Sequence, residues 1–252
     1  MAIKNPLIPL GDFFLFGGSV LRAIATRRFS FKMLLRQMDR VGVESLMVIN
    51  ICSFFISLVL VIQIAAMLAR FGAKTEVSSV IGVSFIREIG PVFAAIMFTG
   101  RIGTGIAAEL ASMLVTEQID ALRVMGANPM ALLVAPRVLA TLVMLPLLTA
   151  IACLVGIFSG YLGALLTMDI LPAEFARKAM EKLAMIDVVA CFTKAVFFGL
   201  FVGLISTYMG MRSERTTEAV GQATTKTMVA GVLGILVVDF ILTKLFLGLS
   251  GA

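Results

Sequence analysis

The chain has 252 residues, of which 60% are hydrophobic and 14% are charged, and its mean hydropathy is +1.06. So few charged side chains cannot cover a soluble globule of this length, so the composition indicates a polytopic membrane protein. The net charge is +6 and histidine is absent, which argues against a hydrolase or metal site built on the commonest general base and metal ligand. The cations lie beside apolar segments and fit anionic lipid better than nucleic acid.

The N-terminal region predicts a helix that lies in the membrane interface. Residues 1–10 contain two prolines and no apolar core followed by a cleavage site, so we expect no signal peptide. Residues 11–40 mix aromatic and aliphatic side chains with six cations. This mixture is typical of a helix whose apolar side enters the lipid while its cations face the phosphates.

Five apolar segments follow, and each can cross a hydrocarbon core of about 30 Å. They are predicted at about 45–68, 80–115, 137–166, 186–209 and 228–247. The second is longer than the core requires at about 1.5 Å per residue, so it must protrude or break, and we expect a kink at Gly90-Pro91. The amphipathic connection 167–185 predicts a short surface helix. We interpret the chain as a single all-α membrane domain.

The distribution of lysine and arginine predicts the orientation of the spans. Twelve of these residues lie on the side of the N-terminus, and five lie on the other side, namely Arg70, Lys74, Arg177, Lys178 and Lys182. By the positive-inside rule the N-terminus is cytoplasmic and, after five crossings, the C-terminus is outside.

The connection after the second span predicts a short cytoplasmic helix from Glu117 to Met125. Thr116 is a suitable N-cap, and Gly126 is a suitable residue to end the helix. Ile119, Leu122 and Met125 are expected on one side, with Gln118, Asp120 and Arg123 elsewhere. A cleft in a separate motor protein could bind such a helix, although an ordinary solvated loop helix has the same pattern.

Several charged residues lie within or at the ends of the predicted spans: Arg87, Glu88, Arg101, Glu109, Lys194, Asp239 and Lys244. In hydrocarbon a charge must pair, face a cavity or reach the interface, which we expect for Glu109 and Lys244. On an unbroken helix Arg87 and Arg101 point within about 40° of each other and could line a path for an anionic head group. The alternative is that these charges form structural ion pairs that lock the bundle.

Glycines and cysteines indicate packing rather than chemistry. The pairs Gly156 with Gly160 and Gly199 with Gly203 have the spacing that lets helices approach closely. The cysteines Cys52, Cys153 and Cys191 lie in apolar runs and are expected to be small hydrophobic residues without a disulfide. No phosphate-binding loop is present in the sequence, so we expect any ATP hydrolysis in another polypeptide and no cofactor on this chain.

Four motifs occur in order: Phe-Ile-Arg-Glu-Ile-Gly-Pro-Val at 85–92, Gly-Arg-Ile-Gly at 100–103 with Ala-Ala-Glu-Leu at 107–110, Thr-Glu-Gln-Ile-Asp-Ala-Leu at 116–122, and Ala-Thr-Thr-Lys at 223–226. From about residue 40 onward the chain resembles the MlaE/YrbE-type permeases of ABC lipid transporters. The resemblance implies a homodimer of five-span permeases, two cytoplasmic ATPases and an MCE-domain lipid-binding partner. Such transporters move phospholipids between the inner membrane of bacteria and the periplasmic side.

The resemblance also assigns roles by position. The family's coupling helix falls on Glu117 to Met125, its Arg-Glu pair on Arg87 and Glu88, and its buried lysine and aspartate on Lys194 and Asp239. We expect Glu88 to pair with Lys194, and Asp239 to be a second partner.

In such a dimer the first, second and fifth spans could enclose an apolar cavity. Leu58, Val61 and Ile62 would then lie near acyl chains and Arg87 near the phosphate. The competing interpretation is a self-sufficient secondary carrier, or a lipid-modifying enzyme that uses Arg87, Glu88 and Asp239 on a head group. The absence of histidine and of an internal repeat argues against both.

Overall fold

The structure, a computed structural model, describes residues 7–26, 31–73, 76–168 and 172–250, and every regular element in these ranges is helical. Five helical stretches are long and apolar enough to cross a membrane: Phe31–Arg70, Val77–Val115, Met130–Thr167, Met185–Met211 and Thr217–Gly248. The prediction of an all-α integral membrane protein with five spans is therefore confirmed. Four of the cations counted in the sequence interpretation lie outside the described ranges: Lys4, Arg27, Arg28 and Lys74.

The predicted interfacial region is divided between two helices. Helix α1 is Leu7–Ala25, and residues 31–40 belong to α2, which is Phe31–Arg70. The longer α2 has a simple cause, since residues 31–40 are helix formers without proline or glycine and continue directly into the apolar span. Within α1, Val20 is buried and Phe16 makes an edge-to-face contact with Tyr208, whereas Phe14 is exposed. Helix α1 therefore has one packed side and one open apolar side, and its placement in the membrane interface stays a prediction.

The second span contains two π-helical turns. It consists of α3 (Val77–Ser84), a π-helical turn (Phe85–Ile89), α4 (Gly90–Phe98), a second π-helical turn (Thr99–Gly103) and α5 (Thr104–Val115). Pro91 has no N–H to donate to the carbonyl of Arg87, four residues earlier, so regular α-helical bonding cannot continue there. The interruption therefore falls beside the Gly90-Pro91 pair that the sequence singled out.

The remaining elements are α6 (Gln118–Val124), a π-helical turn (Met130–Val134) that leads into α7 (Ala135–Met168), α8 (Pro172–Glu181), α9 (Met185–Met211) and α10 (Thr217–Ser250). The chain divides into two compact units. The first unit is Met1–Gly42, Thr99–Met144 and Gly199–Ile235, and the second is Val43–Phe98, Leu145–Phe198 and Leu236–Ala252. The prediction of a single domain stays a prediction.

The paired glycines serve packing within the chain. In the first unit, a Cβ on Gly203 would lie 2.2 Å from Thr141 Oγ1, so α9 and α7 touch there. In the second unit, a Cβ on Gly156 would lie 2.1 Å from Phe85 Cε1, which brings α7 against the π-helical turn of the second span. No side chain larger than hydrogen fits at either position without displacing its neighbour.

The amphipathic connection forms the surface helix α8, which packs on α3. A Cβ on Gly82 would lie 2.9 Å from the carbonyl oxygen of Ala179, so the two helices approach closely. Phe175 is buried and joins Val77 and Ile81 in one apolar cluster. This contact fixes the C-terminal end of α8 beside the start of the second span.

Candidate functional site

A buried cluster of charges surrounds Lys194 in the second unit. Lys194 on α9 is 1% exposed, and its Nζ lies 2.6 Å from Glu88 Oε2 and 2.9 Å from Asp239 Oδ1. The Asp239 contact is an ion pair without hydrogen-bond alignment. The ammonium also donates to Thr243 Oγ1 at 2.7 Å. A buried ammonium is stable only with such partners, and the structure brings together the three charged residues that the sequence grouped.

The π-helical turn contributes a further acceptor to this cluster. Lys194 Nζ donates to the carbonyl oxygen of Arg87 at 3.1 Å. This is the carbonyl that Pro91 leaves without its regular α-helical donor. The proline therefore both interrupts the helix and frees a backbone oxygen that helps to hold the buried cation.

Arg87 is held by a residue that the sequence interpretation missed. Its Nε donates to Asp187 Oδ1 at 2.6 Å, and Asp187 is 4% exposed. The other oxygen, Asp187 Oδ2, accepts from the backbone N–H of Ala184 at 3.0 Å, at the start of α9. This is the reciprocal half of a capping box, in which an acid at the third helical position bonds back to the N-cap residue. The available signal in the sequence was an acid in the first turn of a predicted span, in a protein with arginines in other spans that need counter-ions.

These charges line a cavity of about 490 Å³ in the second unit. Its polar wall is Ser84, Arg87, Glu88, Asp187, Lys194 and Thr243, and its apolar wall is Val83, Ile89, Ile186, Ala190, Phe246 and Leu247. Both signs of charge beside an apolar wall suit a molecule with a charged head and an apolar body. The volume lies within the usual range for ligand pockets, about 300–1,000 Å³.

The three first-span candidates do not share one surface. Val61 is 0% exposed and packs with Ile81 and Phe175 in the core, so it cannot line a lipid path. The cause is Gly163 on α7, where an added Cβ would lie 3.2 Å from Val61 Cβ. Ile62 is exposed and Leu58 is half-buried, so these two remain available for contact with acyl chains.

The expected alignment of Arg87 with Arg101 rested on an unbroken helix, and that condition is not met. Each arginine lies in a π-helical turn, where hydrogen bonds span five residues instead of four. An advance of about 100° per residue therefore does not apply between them. Arg101 belongs to the first unit and is exposed.

Glu109 and Lys244 have local partners. Glu109 on α5 accepts from Arg137 Nη2 at 3.1 Å and also contacts Arg40. Arg137 is 5% exposed and donates through Nη1 to the carbonyl of Leu133 at 2.8 Å. This ion pair joins α5 to α7 in the first unit, as in the structural interpretation of the charges. Lys244 Nζ lies 5.3 Å from the ring centre of Phe240.

The predicted cytoplasmic helix is α6, and it begins one residue later than expected. Glu117 precedes it with a φ of 56°, and Thr116 is not the N-cap, because its hydroxyl donates to the Ser112 carbonyl at 2.9 Å. The last residue of α6 is Val124 rather than Met125, and Gly126 lies at the position where the helix ends. Gly126 has a φ of 74°, its N–H bonds the Arg123 carbonyl at 3.0 Å, and Ala127 N bonds the carbonyl of residue 122 at 2.9 Å. This pair of bonds is the Schellman motif.

The exposed apolar side of α6 differs from the predicted one. Ile119 is 0% exposed and Leu122 is half-buried, so these two pack against the protein itself. The exposed apolar side chains are Val124, at 89%, and Met125, at 72%. Glu117, Gln118 and Arg123 are exposed around them.

Asp120 ties α6 to the connection between α9 and α10. Its carboxylate accepts from Arg123 Nη1 at 3.0 Å and lies 2.7 Å from Arg215 Nη1. Arg212 in the same connection lies 3.5 Å from Asp12 of α1. The cations of this connection therefore anchor α6 and α1 within the first unit.

Comparison with known proteins places the chain in a family. The model of the family described as Permease MlaE matches residues 34–245. The chain belongs to the MlaE permease family. A Rickettsia conorii protein named "Probable ABC transporter permease protein" is 35% identical over 94% of this chain and 92% of its own length. The Haemophilus influenzae protein named intermembrane phospholipid transport system permease protein MlaE is 34% identical over 88% of this chain and 85% of its own.

A third relative is also matched over most of its length. The Synechocystis protein, also named "Probable ABC transporter permease protein", is 34% identical over 92% of this chain and 88% of its own length. Family membership and the five long apolar helices together make this chain a multi-pass membrane permease of the ABC class.

Proposed function

We propose that this chain is the membrane-spanning subunit of an ATP-driven transporter that moves phospholipids between the inner membrane and a periplasmic carrier. The observation that carries this proposal is the cavity in which Arg87 and Lys194 lie beside an apolar wall. Phospholipids combine an anionic phosphate with apolar chains, so they match both walls. The Haemophilus relative, named for intermembrane phospholipid transport, supports the same substrate class.

The head group binds at the terminal nitrogens of Arg87. The guanidinium uses Nε to bond Asp187, and its side chain is 46% exposed. A lipid phosphate accepts from the terminal nitrogens, because the planar guanidinium can bond two oxygens at once. Lys194 stays neutralised by its own carboxylates, so Arg87 is the cation that meets the phosphate. Leu58 and Ile62 contact acyl chains in a homodimer whose first, second and fifth spans enclose the path.

ATP hydrolysis belongs to a separate cytoplasmic ATPase, and this chain has no catalytic residue, metal or cofactor of its own. Helix α6 is the coupling element, and Val124 with Met125 forms its contact with an apolar cleft of the ATPase. Because Arg215 binds Asp120, a displacement of α6 by the ATPase also moves the connection between α9 and α10. In this arrangement the N-terminus and α6 face the cytoplasm, and the C-terminus faces an MCE-domain partner in the periplasm.

Affinity purification in mild detergent tests the assembly. An ATPase subunit should co-purify with the unmodified chain, and Met125→Asp should abolish its recovery because a charge enters an apolar contact. Met180→Asp is the matched control, since Met180 is 68% exposed on α8, on the predicted periplasmic side. Recovery of no ATPase with the unmodified chain would favour a self-sufficient carrier or enzyme instead. Undiminished recovery with Met125→Asp would place the contact elsewhere.

A further inference from the structure

A second cavity lies next to the first in the same unit. Its volume is about 510 Å³, and its lining is Ser79, Val80, Val83, Ser84, Arg87 and Lys182. Val83, Ser84 and Arg87 line both cavities. Arg87 can therefore reach a ligand in either cavity. We refer to the second cavity as the outer groove.

The outer groove is a built surface, because helix packing fixes both of its sides. Val80, Val83 and Ser84 lie at helical spacing on α3, and Arg87 follows in the π-helical turn. Lys182 follows directly after α8, whose Ala179 packs against Gly82 of α3. Lys182 is therefore held at the rim of the groove.

Each cation of the outer groove has a carboxylate partner and unused donors. Lys182 Nζ bonds Glu76 Oε2 at 2.5 Å, and both side chains are about half exposed, at 60% and 46%. An ammonium has three donors, so this bond leaves two. Arg87 bonds Asp187 through Nε alone, and its terminal nitrogens bond none of the described residues. Without a ligand the groove is electrically balanced, and an anion can bind without displacing either carboxylate.

We propose that the outer groove binds the phosphate of a lipid head group between Arg87 and Lys182, outside the cavity that holds the Lys194 cluster. Phosphate is the anion that suits this arrangement, since its oxygens accept from a guanidinium and an ammonium at once. Val80 and Val83 supply an apolar wall for the glycerol and the first methylene groups. This assignment rests on the proposed function. It gives Arg87 two phosphate positions, one shared with Lys182.

Photo-crosslinking in the purified transporter complex tests this proposal. The complex is placed in nanodiscs containing tritiated phosphatidylglycerol, with benzoylphenylalanine at Val80 in the outer groove or at Phe246, which lines only the first cavity. Lipid should label both probes. Lys182→Gln should lower labelling at Val80 about fivefold, the effect of one partly exposed ionic contact, and leave labelling at Phe246 unchanged.

Two further variants distinguish the loss of the Lys182 charge from a change in the folded structure. Lys182→Arg should retain labelling at the Val80 probe, because the cation is kept. Lys178→Gln is the matched control, since Lys178 lies on α8 and pairs with Glu174 at 2.8 Å without lining the groove. Its labelling should equal that of the unmodified complex.

The results distinguish failure of this inference from failure of the proposed function. Labelling at the Phe246 probe with none at Val80, or labelling at Val80 that Lys182→Gln leaves unchanged, overturns the outer groove alone. Absence of lipid at both probes contradicts the proposed function as well. Millimolar inorganic phosphate should not reduce lipid labelling at Val80, and full competition would assign the groove to free phosphate and overturn a lipid site.

Discussion

Replacing Lys194 with methionine should destabilise the protein strongly. The substitution keeps an unbranched chain of similar length but removes the only cation within 3 Å of Glu88 and Asp239 among the described residues. The two carboxylates that shared its ammonium then remain without that cation, with Glu88 42% exposed and Asp239 19% exposed. Their repulsion and lost solvation, rather than a lost contact, cause the destabilisation.

The structure sets the size of the effect. Breaking a buried ion pair typically costs about 3–5 kcal/mol, and the lower end applies here because the Glu88 side chain is 42% exposed to the cavity. A loss of about 3 kcal/mol lowers Tm by about 6–12 °C for a chain of this length. Neutralising both carboxylates in addition, with Glu88→Gln and Asp239→Asn, should restore at least half of this loss.

A thiol-reactive dye measures the unfolding. Cys153 and Cys191 are buried, so they react only as the structure opens during heating in detergent. The control is Lys178→Met, which removes one cation from a surface pair on α8 and should lower Tm by no more than about 2 °C. Equal shifts for Lys194→Met and Lys178→Met would refute the argument, as would no recovery in the neutralised triple variant.

Three other predictions follow from the same geometry. Glu88→Lys should abolish lipid transport, and adding Lys194→Glu should restore part of it. No restoration would mean that the ion pair between these two residues is not what transport requires. A cysteine at Ala173, but not one at Ser213, should be labelled from outside the cell, and outside labelling at 213 would overturn the five-span orientation. A hydrogen bond from Lys182 holds the pKa of Glu76 below its ordinary value of 4.5. The packing of α8 on α3 should therefore be pH-independent above 4.5 and loosen only below it, measured by hydrogen exchange of α8 and absent in Glu76→Gln.

The sequence predicted the five spans because hydropathy reports directly which residues enter hydrocarbon. It did not predict where the helices begin and end. Helix α2 starts at Phe31 rather than near residue 45, since a helix continues past the membrane wherever its polar residues are also good helix formers. Hydropathy therefore identifies the residues within the membrane but does not identify the residue at which a helix ends.

The candidate site was predicted in its charges but not in its geometry. A lone cation within a membrane span needs partners, so the sequence alone predicts that Lys194 pairs with Glu88 and Asp239. Asp187 was overlooked because it lies at the end of a span, where an acid is usually solvated. The angle between Arg87 and Arg101 could not be derived, since a helical wheel contains no π-helical turns.

The sequence could not predict which individual side chains are buried. Val61 and Ile62 are adjacent and equally apolar, yet one is enclosed and the other is exposed. The difference comes from Gly163, about a hundred residues later in the chain, which lets α7 approach Val61. On α6, Ile119 is buried whereas Met125 is exposed, although the sequence pattern placed both on one apolar side.

ATP-driven lipid transfer in proteoliposomes tests the central claim most directly. The complex is reconstituted in liposomes with a fluorescent phospholipid, and transfer to acceptor liposomes is followed with and without ATP. We predict that the unmodified complex transfers lipid only when ATP is hydrolysed, and that Arg87→Glu abolishes transfer while the ATPase still co-purifies. Full transfer by Arg87→Glu, or transfer that does not require ATP, would contradict the account.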